Sequence, residues 1–335
     1  MKKHKVGIMV LVIFFMVSIL VGCGSKVGTD KTGEKEAVKI DYPTKPVQLI
    51  VSYSAGAATD TQARILVKYA QKYLGQPIAV VNMAGAGGQV GWNHFAGVKP
   101  DGYTLAVYNL PHIIAQPLVG ETKFNKDTFE PIMNWGWDPV VFAVKPDSKY
   151  QSLADLVEGA KSKPETITVG NAGLYVGQHL AQLKLEDLTG VRFKTMPYKG
   201  AADAKAALLG GHIDVCAGNL SDMYRLGSEV KILGVATKER SKFTPDVPTF
   251  VEQGYDVVMS TDRGISALKG TDPQIIQILE DAFTKAANDP EYLAEMDKAG
   301  ADLLFIARKD VKAEMESREP AIKELLDKFG FLMKK

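Results

Sequence analysis

The 335-residue sequence contains only two cysteines, Cys23 and Cys216, and they form no Cys-Xaa-Xaa-Cys pair. The sequence also lacks a Gly-Xaa-Ser-Xaa-Gly elbow, a Walker loop and a His-Glu-Xaa-Xaa-His helix. These motifs are the usual sources of a redox dithiol, a serine nucleophile, a phosphate-binding loop and a catalytic zinc site. We therefore expect no catalytic residues, no metal and no cofactor.

Neither sign of charge dominates, since 40 Lys and Arg residues face 39 Asp and Glu residues for a net charge of +1. Nucleic acid binding depends on a clear excess of basic residues, so we expect no nucleic acid partner. The histidines are dispersed along the chain, which favours single hydrogen-bonded structural residues over a metal site. The five histidines are His4, His94, His112, His179 and His212.

No apolar run reaches the roughly twenty residues that a helix needs to cross a bilayer. The run from Val6 to Val21 spans about sixteen residues and follows three lysines, which is the layout of a signal peptide. Its end, Leu20-Val21-Gly22-Cys23, resembles the bacterial lipobox. We expect residues 1–22 to be a lipoprotein signal peptide and Cys23 to be acylated. The alternatives are an ordinary signal peptide or an uncleaved anchor.

Residues 23–41 begin with a polar stretch that has no aromatic residue up to Glu36. Such a segment buries too little apolar surface to order itself, so it reads as a flexible tether. The expected location is the extracytoplasmic face of the cell membrane, held there by lipid on Cys23. Cys216 lies in an apolar run and is then without a thiol partner in the mature chain, so we expect it to be buried and inert.

The body of the chain begins with alternating strands and helices. Val47–Val51 and Ile78–Val81 have strand character, and the apolar spacing from Asp60 to Leu74 is helical. A third strand is expected at Tyr103–Val107. This order predicts a parallel sheet covered on both faces, which binds ligands beyond the carboxyl ends of its strands.

A second series of strands and helices starts at Val140, and helices fill the chain from Pro273. About 310 residues after the signal peptide suit two lobes better than one core. We expect residues 42–142 and 262–335 to form lobe 1 and residues 143–261 to form lobe 2. The C-terminal helices have no predicted strands of their own to cover, so they should pack on lobe 1.

The segment Ser52–Asp60 joins the first strand to the first helix and is rich in small residues. Free NH groups at a helix amino terminus, with the Thr59 hydroxyl, form a donor set for an anion. The alternative is that Asp60 merely caps the helix. The glycine-rich loop Gly85–Gly91 suggests a dinucleotide site, but Val90 stands where the fingerprint requires glycine, so the match is weak.

Several motifs in one order resemble the tripartite tricarboxylate transporter receptors, the TctC and Bug family. In the first half they include Tyr42–Val47, Ala55–Arg64, Gly75–Asn82, Gly85–Gly88 and Pro100–Leu105. In the second half they are His179–Ala181, Pro197–Gly200, Leu208–Asp214 and Asp246–Phe250. The resemblance implies a type II periplasmic-binding-protein fold, in which two α/β lobes with mixed, mostly parallel sheets close on a small organic carboxylate.

The resemblance also implies a binding site. The turn from Tyr53 to Asp60 should hold one carboxylate, the turn from Gly173 to Val176 should face it, and Gly200 and Ala201 should close the floor. Asp214 would position water or support a loop. Asn109 and Asn219 follow strands and would bind ligand or stabilise loops. The expected ligand-binding residues are Tyr53, Ser54, Ala57, Ala58, Thr59, Asp60, Asn109, Gly173, Leu174, Tyr175, Val176, Gly200, Ala201, Asp214 and Asn219.

Two departures from the family pattern affect this site. Ser52-Tyr53 stands where the family has a Pro-Phe start, and Leu174-Tyr175-Val176 removes the hydroxyl donor of the usual second turn. We expect a monomeric solute receptor, not an enzyme, that captures a small organic carboxylate and delivers it to a membrane permease. The alternatives are a ligand-sensing receptor for a membrane signalling partner and an exported enzyme that uses the same cleft.

Overall fold

A computed structural model describes residues 40–333 of the chain, which hold ten strands and ten α-helices. The predicted signal peptide, Cys23 and the tether up to residue 39 lie outside the described residues. Within residues 40–333, no helix combines the length and the apolar character that a membrane span requires.

The elements alternate along most of the chain. In order they are β1 (Val47–Val51), α1 (Ala58–Leu74), β2 (Ile78–Asn82), α2 (Gln89–Phe95), β3 (Thr104–Leu110), α3 (His112–Val119), β4 (Phe129–Val144), α4 (Leu153–Ser162), β5 (Thr168–Asn171), α5 (Gly177–Thr189), β6 (Lys194–Pro197), α6 (Ala201–Leu209), β7 (Val215–Asn219), α7 (Leu220–Tyr224), β8 (Lys231–Val235), β9 (Ser260–Leu268), α8 (Pro273–Ala287), α9 (Pro290–Lys298), β10 (Asp302–Ala307) and α10 (Arg308–Lys328).

The strands form a mixed sheet in the order β2-β1-β3-β9-β4-β7-β5-β6, with β8 and β10 also paired to β4. Parallel pairs join β1 to β2 and β3 at one end, and β5 to β6 and β7 at the other. The long strands β4 and β9 run antiparallel to each other between these two groups. The α/β class with mixed sheets is therefore confirmed.

Strand β4 connects the two groups. Its first part, Phe129–Pro139, pairs with β9, and its last part, Val140–Val144, pairs with β7 and β8. Only the last part was predicted as a strand. Proline and glycine weaken a strand signal, and Pro131 and Gly136 lie at register shifts against β9 that accommodate them.

The C-terminal segment also contains a strand that the sequence did not predict. Strand β10 pairs antiparallel with β4, so the expectation of helices alone in this segment was wrong. The C-terminal helices pack on the core of the first strands. Ile275, Phe283 and Leu326 share one core with Val47 and Leu105 of the first strands.

A separate core lies on each face of the sheet between β4 and β6. Phe142, Leu156 and Val169 belong to the core on one face, and Val141 and Leu208 belong to the core on the other. This arrangement supports two lobes, each with its own apolar interior. We propose the division expected from the sequence, whose boundaries at 142–143 and 261–262 fall inside β4 and β9.

Helix α1 leads from the sheet to the cleft. Ala63, Leu66 and Ala70 are fully buried against the lobe 1 core, and the helix ends at Gly75, which has φ 76°. A left-handed residue at this position is the usual helix stop, and glycine adopts it without steric cost. The helix starts at Ala58, two residues earlier than predicted, with Ala57 at the N-cap.

Candidate functional site

A cavity lies where strands β1, β3, β5 and β7 end and helices α1, α5, α6 and α7 begin. Its volume is about 10 Å³, about the space of one water molecule. Its walls are therefore close together, with residues of both lobes facing each other. The lining residues are Tyr53, Ala57, Ala58, Thr59, Asn109, His112, Ala172, Gln178, Ala201, Asn219, Asp222 and Thr261.

Three helix amino termini point toward this cavity. Within the described chain, no side chain caps α1, α5 or α6, whose N-cap residues are Ala57, Val176 and Gly200. In each helix the carbonyl of the N-cap residue accepts the first helical hydrogen bond. The donors are the backbone NH groups of Thr61, Leu180 and Ala204, respectively. The preceding NH groups of each helix have no helical acceptor, so together they create a positive potential that suits an anion.

Thr59 adds a hydroxyl donor to the α1 terminus. Its Oγ1 accepts hydrogen bonds from Asn109 Nδ2 at 3.2 Å and from buried Arg263 Nε at 2.9 Å. A hydroxyl oxygen has two lone pairs, and both are used by these donors. The hydroxyl hydrogen of Thr59 is therefore left to donate to an acceptor in the cavity.

Arg263, which donates a hydrogen bond to Thr59 Oγ1, is itself held in place by an ion pair. Its side chain is fully buried, and its Nη1 lies 2.9 Å from Asp138 Oδ2. Asp138 also accepts hydrogen bonds from the NH and the hydroxyl of Ser221. A buried charge needs both a partner of opposite sign and hydrogen bonds, and Asp138 has both. Arg263 and Asp138 were not predicted as site residues.

Asp60 holds the α1 turn in place from outside the cavity lining. Its carboxylate accepts hydrogen bonds from Gly56 N at 2.9 Å, Asn82 Nδ2 at 2.8 Å and Arg64 Nε. Burial by itself would raise the pKa of Asp60, but the hydrogen bonds from Arg64, Gly56 and Asn82 outweigh it and lower the pKa. We therefore assign Asp60 to positioning the turn and not to ligand contact.

Tyr53 lines the cavity, but its hydroxyl is used within lobe 1. The hydroxyl donates to Gly87 O at 3.0 Å, while Asn82 Nδ2 donates to Tyr53 O. Burial raises the pKa of the phenol well above its usual value. Ser54 lies outside the lining and faces Gly200, whose Cα is so close that an added Cβ would lie 2.9 Å from Ser54 Oγ.

The second predicted turn, Gly173–Val176, packs against the glycine-rich loop instead of lining the cavity. A Cβ on Gly173, which has φ 135°, would lie 2.6 Å from Gly87 Cα. Leu174 is partly exposed, and Tyr175 adopts φ 58° and donates its NH to His179 Nδ1 at 3.0 Å. The turn therefore brings the two lobes together, and Ala172 and Gln178 on either side of it reach the cavity.

Of the other predicted residues, Ala201, Asn109 and Asn219 line the cavity, and Gly200 lies behind it at the start of α6. Asn219 Oδ1 accepts a hydrogen bond from Gln178 Nε2 at 2.7 Å. This bond links the starts of α5 and α7 across one wall of the cavity. Asn109 and Asn219 thus both border the site and support neighbouring side chains.

Asp214 is placed elsewhere. Its Oδ2 accepts hydrogen bonds from the NH and the hydroxyl of Thr168, at 2.8 and 2.6 Å. Thr168 opens β5, and Asp214 directly precedes β7. The amino ends of two parallel strands meet there, opposite the edge that forms the cavity, so the prediction of Asp214 in the cleft was wrong.

Five lining residues were not predicted, namely His112, Ala172, Gln178, Asp222 and Thr261. Each lies near a strand end or in the first turn of a helix, which is where the sheet rule places ligand contacts. Several of their side-chain atoms, with Asn109 Oδ1, are shielded from solvent and have no hydrogen-bond partner among residues 40–333. These are Asn109 Oδ1, His112 Nδ1, Gln178 Oε1, Asp222 Oδ2 and Thr261 Oγ1.

Two histidines near the site are neutral at physiological pH. Burial lowers the pKa of His112 to about 3, and the positive charge of Arg263 contributes to the decrease. Burial lowers the pKa of His179 to about 4, which leaves its Nδ1 free to accept the Tyr175 NH. In the described part of the chain, no group of three or more His, Cys, Asp or Glu side chains is arranged to hold a metal ion.

Solved structures of similar proteins show the class to which this fold belongs. The periplasmic binding protein BugD is 29% identical with a TM-score of 0.81, over 88% of this chain and all of its own. MatC of Rhodopseudomonas palustris, solved with bound malate, is 26% identical with a TM-score of 0.81, over 85% of this chain and all of its own. The fold is that of the two-lobed periplasmic binding proteins, as the sequence predicted.

The family is equally clear. Residues 62–331 match the model of the tripartite tricarboxylate transporter family receptors. A protein of the gbd 5′ region of Cupriavidus necator is 34% identical over 297 residues, which are 85% of this chain and 88% of that protein. The chain belongs to the tripartite tricarboxylate transporter receptor family, whose members are extracytoplasmic solute-binding proteins.

Proposed function

We propose that this receptor captures a small organic carboxylate in the cavity between its lobes and delivers it to a membrane permease without chemical change. The observation that carries the proposal is the convergence of the uncapped amino termini of α1, α5 and α6 on one cavity, with the Thr59 hydroxyl beside them. Backbone donors of this kind stabilise a carboxylate without a cationic side chain.

The cavity is nearly closed in this structure. Its volume is about 10 Å³, about the space of one water molecule, whereas pockets for drug-sized molecules have volumes of roughly 300–1,000 Å³. The lobes must therefore move apart to admit even a small ligand. A protein of the same fold, MatC, was solved with bound malate.

A thermal-shift screen tests the binding step. Protein that begins at Gly24 keeps every described residue and is mixed with mono-, di- and tricarboxylates of two to six carbons. A ligand at a hundredfold excess over its dissociation constant should stabilise the fold by about 2.7 kcal/mol. Amides of the same acids are the matched controls. An unchanged melting temperature with every carboxylate would contradict the proposal.

Acylation of Cys23 would keep the receptor beside its permease. Cys23 lies outside the described residues, so this part of the proposal depends on the lipobox-like sequence. Labelling cells with a palmitate analogue should mark the wild-type protein but not Cys23→Ser. A label that persists on Cys23→Ser would contradict acylation at this residue.

A further inference from the structure

One part of the cavity wall contains acceptors instead of donors. Gln178 and Asp222, which we call the acceptor wall, each present an oxygen that has no hydrogen-bond partner within the described chain. Another part of the lining, Ala57–Thr59, supplies NH and hydroxyl donors and is called the donor wall. A carboxylate alone satisfies the donor wall and leaves the acceptor wall unpaired.

The Asp222 side chain is buried, with 1% exposure. Its Oδ1 accepts a hydrogen bond from Arg225 Nη2 at 2.9 Å, while its Oδ2 has no hydrogen-bond partner among residues 40–333, and Asp222 is one of the residues that line the cavity. Burial raises the pKa of Asp222, although the charge of Arg225 opposes that increase. Arg225 stabilises the ionised form of Asp222, and an Oδ2 atom without a hydrogen-bond donor suits a donor group of a ligand better than a ligand carboxylate.

The Gln178 side chain has a defined orientation. Its Nε2 donates to Asn219 Oδ1 at 2.7 Å, so its Oε1 is the atom left for a ligand. Asn109 behaves in the same way, since its Nδ2 donates to Thr59 and its Oδ1 has no partner within residues 40–333. Three oxygens around one small cavity thus lack hydrogen-bond donors.

We propose that the ligand is a carboxylate that also carries a hydrogen-bond donor, a hydroxyl or an ammonium group, which pairs with Asp222 Oδ2 and Gln178 Oε1. This inference rests on the proposed function, because it assumes that the carboxylate occupies the donor wall. An unsubstituted carboxylate leaves buried acceptors unpaired in the complex. That defect reduces affinity by about ten- to a hundredfold.

Calorimetric titration of matched acids tests the proposal with protein that begins at Gly24. Each set shares one carbon skeleton and differs only in the donor: succinate, malate and aspartate; glutarate, 2-hydroxyglutarate and glutamate; propionate, lactate and alanine. In at least one set, the hydroxy or amino acid should bind about ten- to a hundredfold more tightly than its unsubstituted parent. If the amino acid is preferred, the donor is an ammonium group; if the hydroxy acid is preferred, it is a hydroxyl.

Asp222→Asn replaces the carboxyl group by an amide and should reduce that preference at least about tenfold, with the larger loss for an ammonium donor. Asp281→Asn, on the exposed surface of α8, is the matched control and should keep the wild-type preference. If Asp222→Asn does not fold, the comparison of the matched acids with the wild-type protein still tests the proposal.

The two proposals fail in different ways. Parents that bind as tightly as their substituted partners in every set would overturn the acceptor wall and leave the receptor function intact. An absence of binding by every acid would overturn both proposals.

Discussion

On the donor wall, Thr59 is held by two hydrogen bonds, and behind it Arg263 is paired with Asp138. On the acceptor wall, Asp222 and Gln178 each have one polar atom bonded to protein and one that is not. The donor wall is therefore fixed before a ligand arrives, whereas the acceptor wall is completed by the ligand. We infer that the first recognises the carboxylate common to many acids and the second selects among those acids.

The largest expected effect follows from removing the support of the donor wall. Arg263→Met leaves Asp138 buried without its counter-charge, which typically costs about 3–5 kcal/mol. Urea denaturation should show a decrease of that size in the free energy of unfolding. The double variant Arg263→Met with Asp138→Asn should recover part of the loss, because both charges are gone. A loss below about 1 kcal/mol in the single variant would show that the ion pair does not fix this wall.

Lowering the pH should reduce the stability of the fold, because each lobe contains one buried histidine. The pKa values of His112 and His179 are lowered to about 3 and about 4, so the folded state keeps both rings neutral. The unfolded chain binds these protons near pH 6.5. The stability that the neutral rings contribute is therefore present above pH 6.5 and is lost as the pH falls toward the folded values.

Between pH 6.5 and pH 5 the expected loss is about 2 kcal/mol for each histidine. Urea denaturation at a series of pH values measures it. His179→Gln keeps an acceptor for the Tyr175 NH but does not titrate. The slope of its free energy of unfolding against pH should therefore be smaller than that of the wild type, by the amount that corresponds to about one bound proton. An unchanged slope would show that His179 titrates as an ordinary surface histidine.

The residues of the donor wall could be predicted from the sequence, but those of the acceptor wall could not. The strand-to-helix turn that contains Ala57, Ala58 and Thr59 was recognisable because small residues and helical periodicity are local features. Asp222 was missed and Asp214 was chosen instead, although both flank β7. Asp214 precedes the strand and Asp222 follows it, and parallel sheets bind ligands beyond the carboxyl ends of their strands.

The partners of a polar side chain are not a local property. Asp60 has the sequence position of a ligand contact, yet its carboxylate is used by Gly56, Arg64 and Asn82. Arg263 lies 204 positions from the Thr59 hydroxyl that it orients. The first part of β4 and the whole of β10 were missed for a related reason, since their pairing depends on segments far apart in the chain.

Closure of the cleft brings the two walls within reach of one ligand. Gly173→Ala adds a methyl group 2.6 Å from Gly87 Cα, so the lobes must separate. The affinity for the best carboxylate should fall at least about tenfold, or about 1.4 kcal/mol, as measured by calorimetric titration.

Gly190→Ala is the matched control for backbone strain. Gly190 also has positive φ, at 71°, but a Cβ there meets no atom within 4 Å. Both variants should lose some stability, about 1–3 kcal/mol, and only Gly173→Ala should lose affinity beyond what its stability explains. Equal affinity in the two variants would indicate that contact between Gly173 and Gly87 is not needed for binding.

The smallest expected effect concerns the donor wall itself. Thr59→Val preserves the shape of the side chain but removes the hydroxyl that donates into the cavity, together with the acceptor for Asn109 Nδ2 and Arg263 Nε, while Thr59→Ser keeps all three hydrogen bonds. Loss of one hydrogen bond to a charged group weakens binding by about 1.5–3 kcal/mol at most, and solvent compensates part of this, so we expect about a tenfold decrease for valine and little change for serine.

The specificity measured for Thr59→Val separates the roles of the two walls. If the donor wall recognises only the shared carboxylate, valine should weaken succinate, malate and aspartate by the same factor and leave their order unchanged. Asp222→Asn should instead change the order. If Thr59→Val changed the order and Asp222→Asn did not, selection among the acids would belong to the α1 turn, and the assignment of the two walls would have to be exchanged.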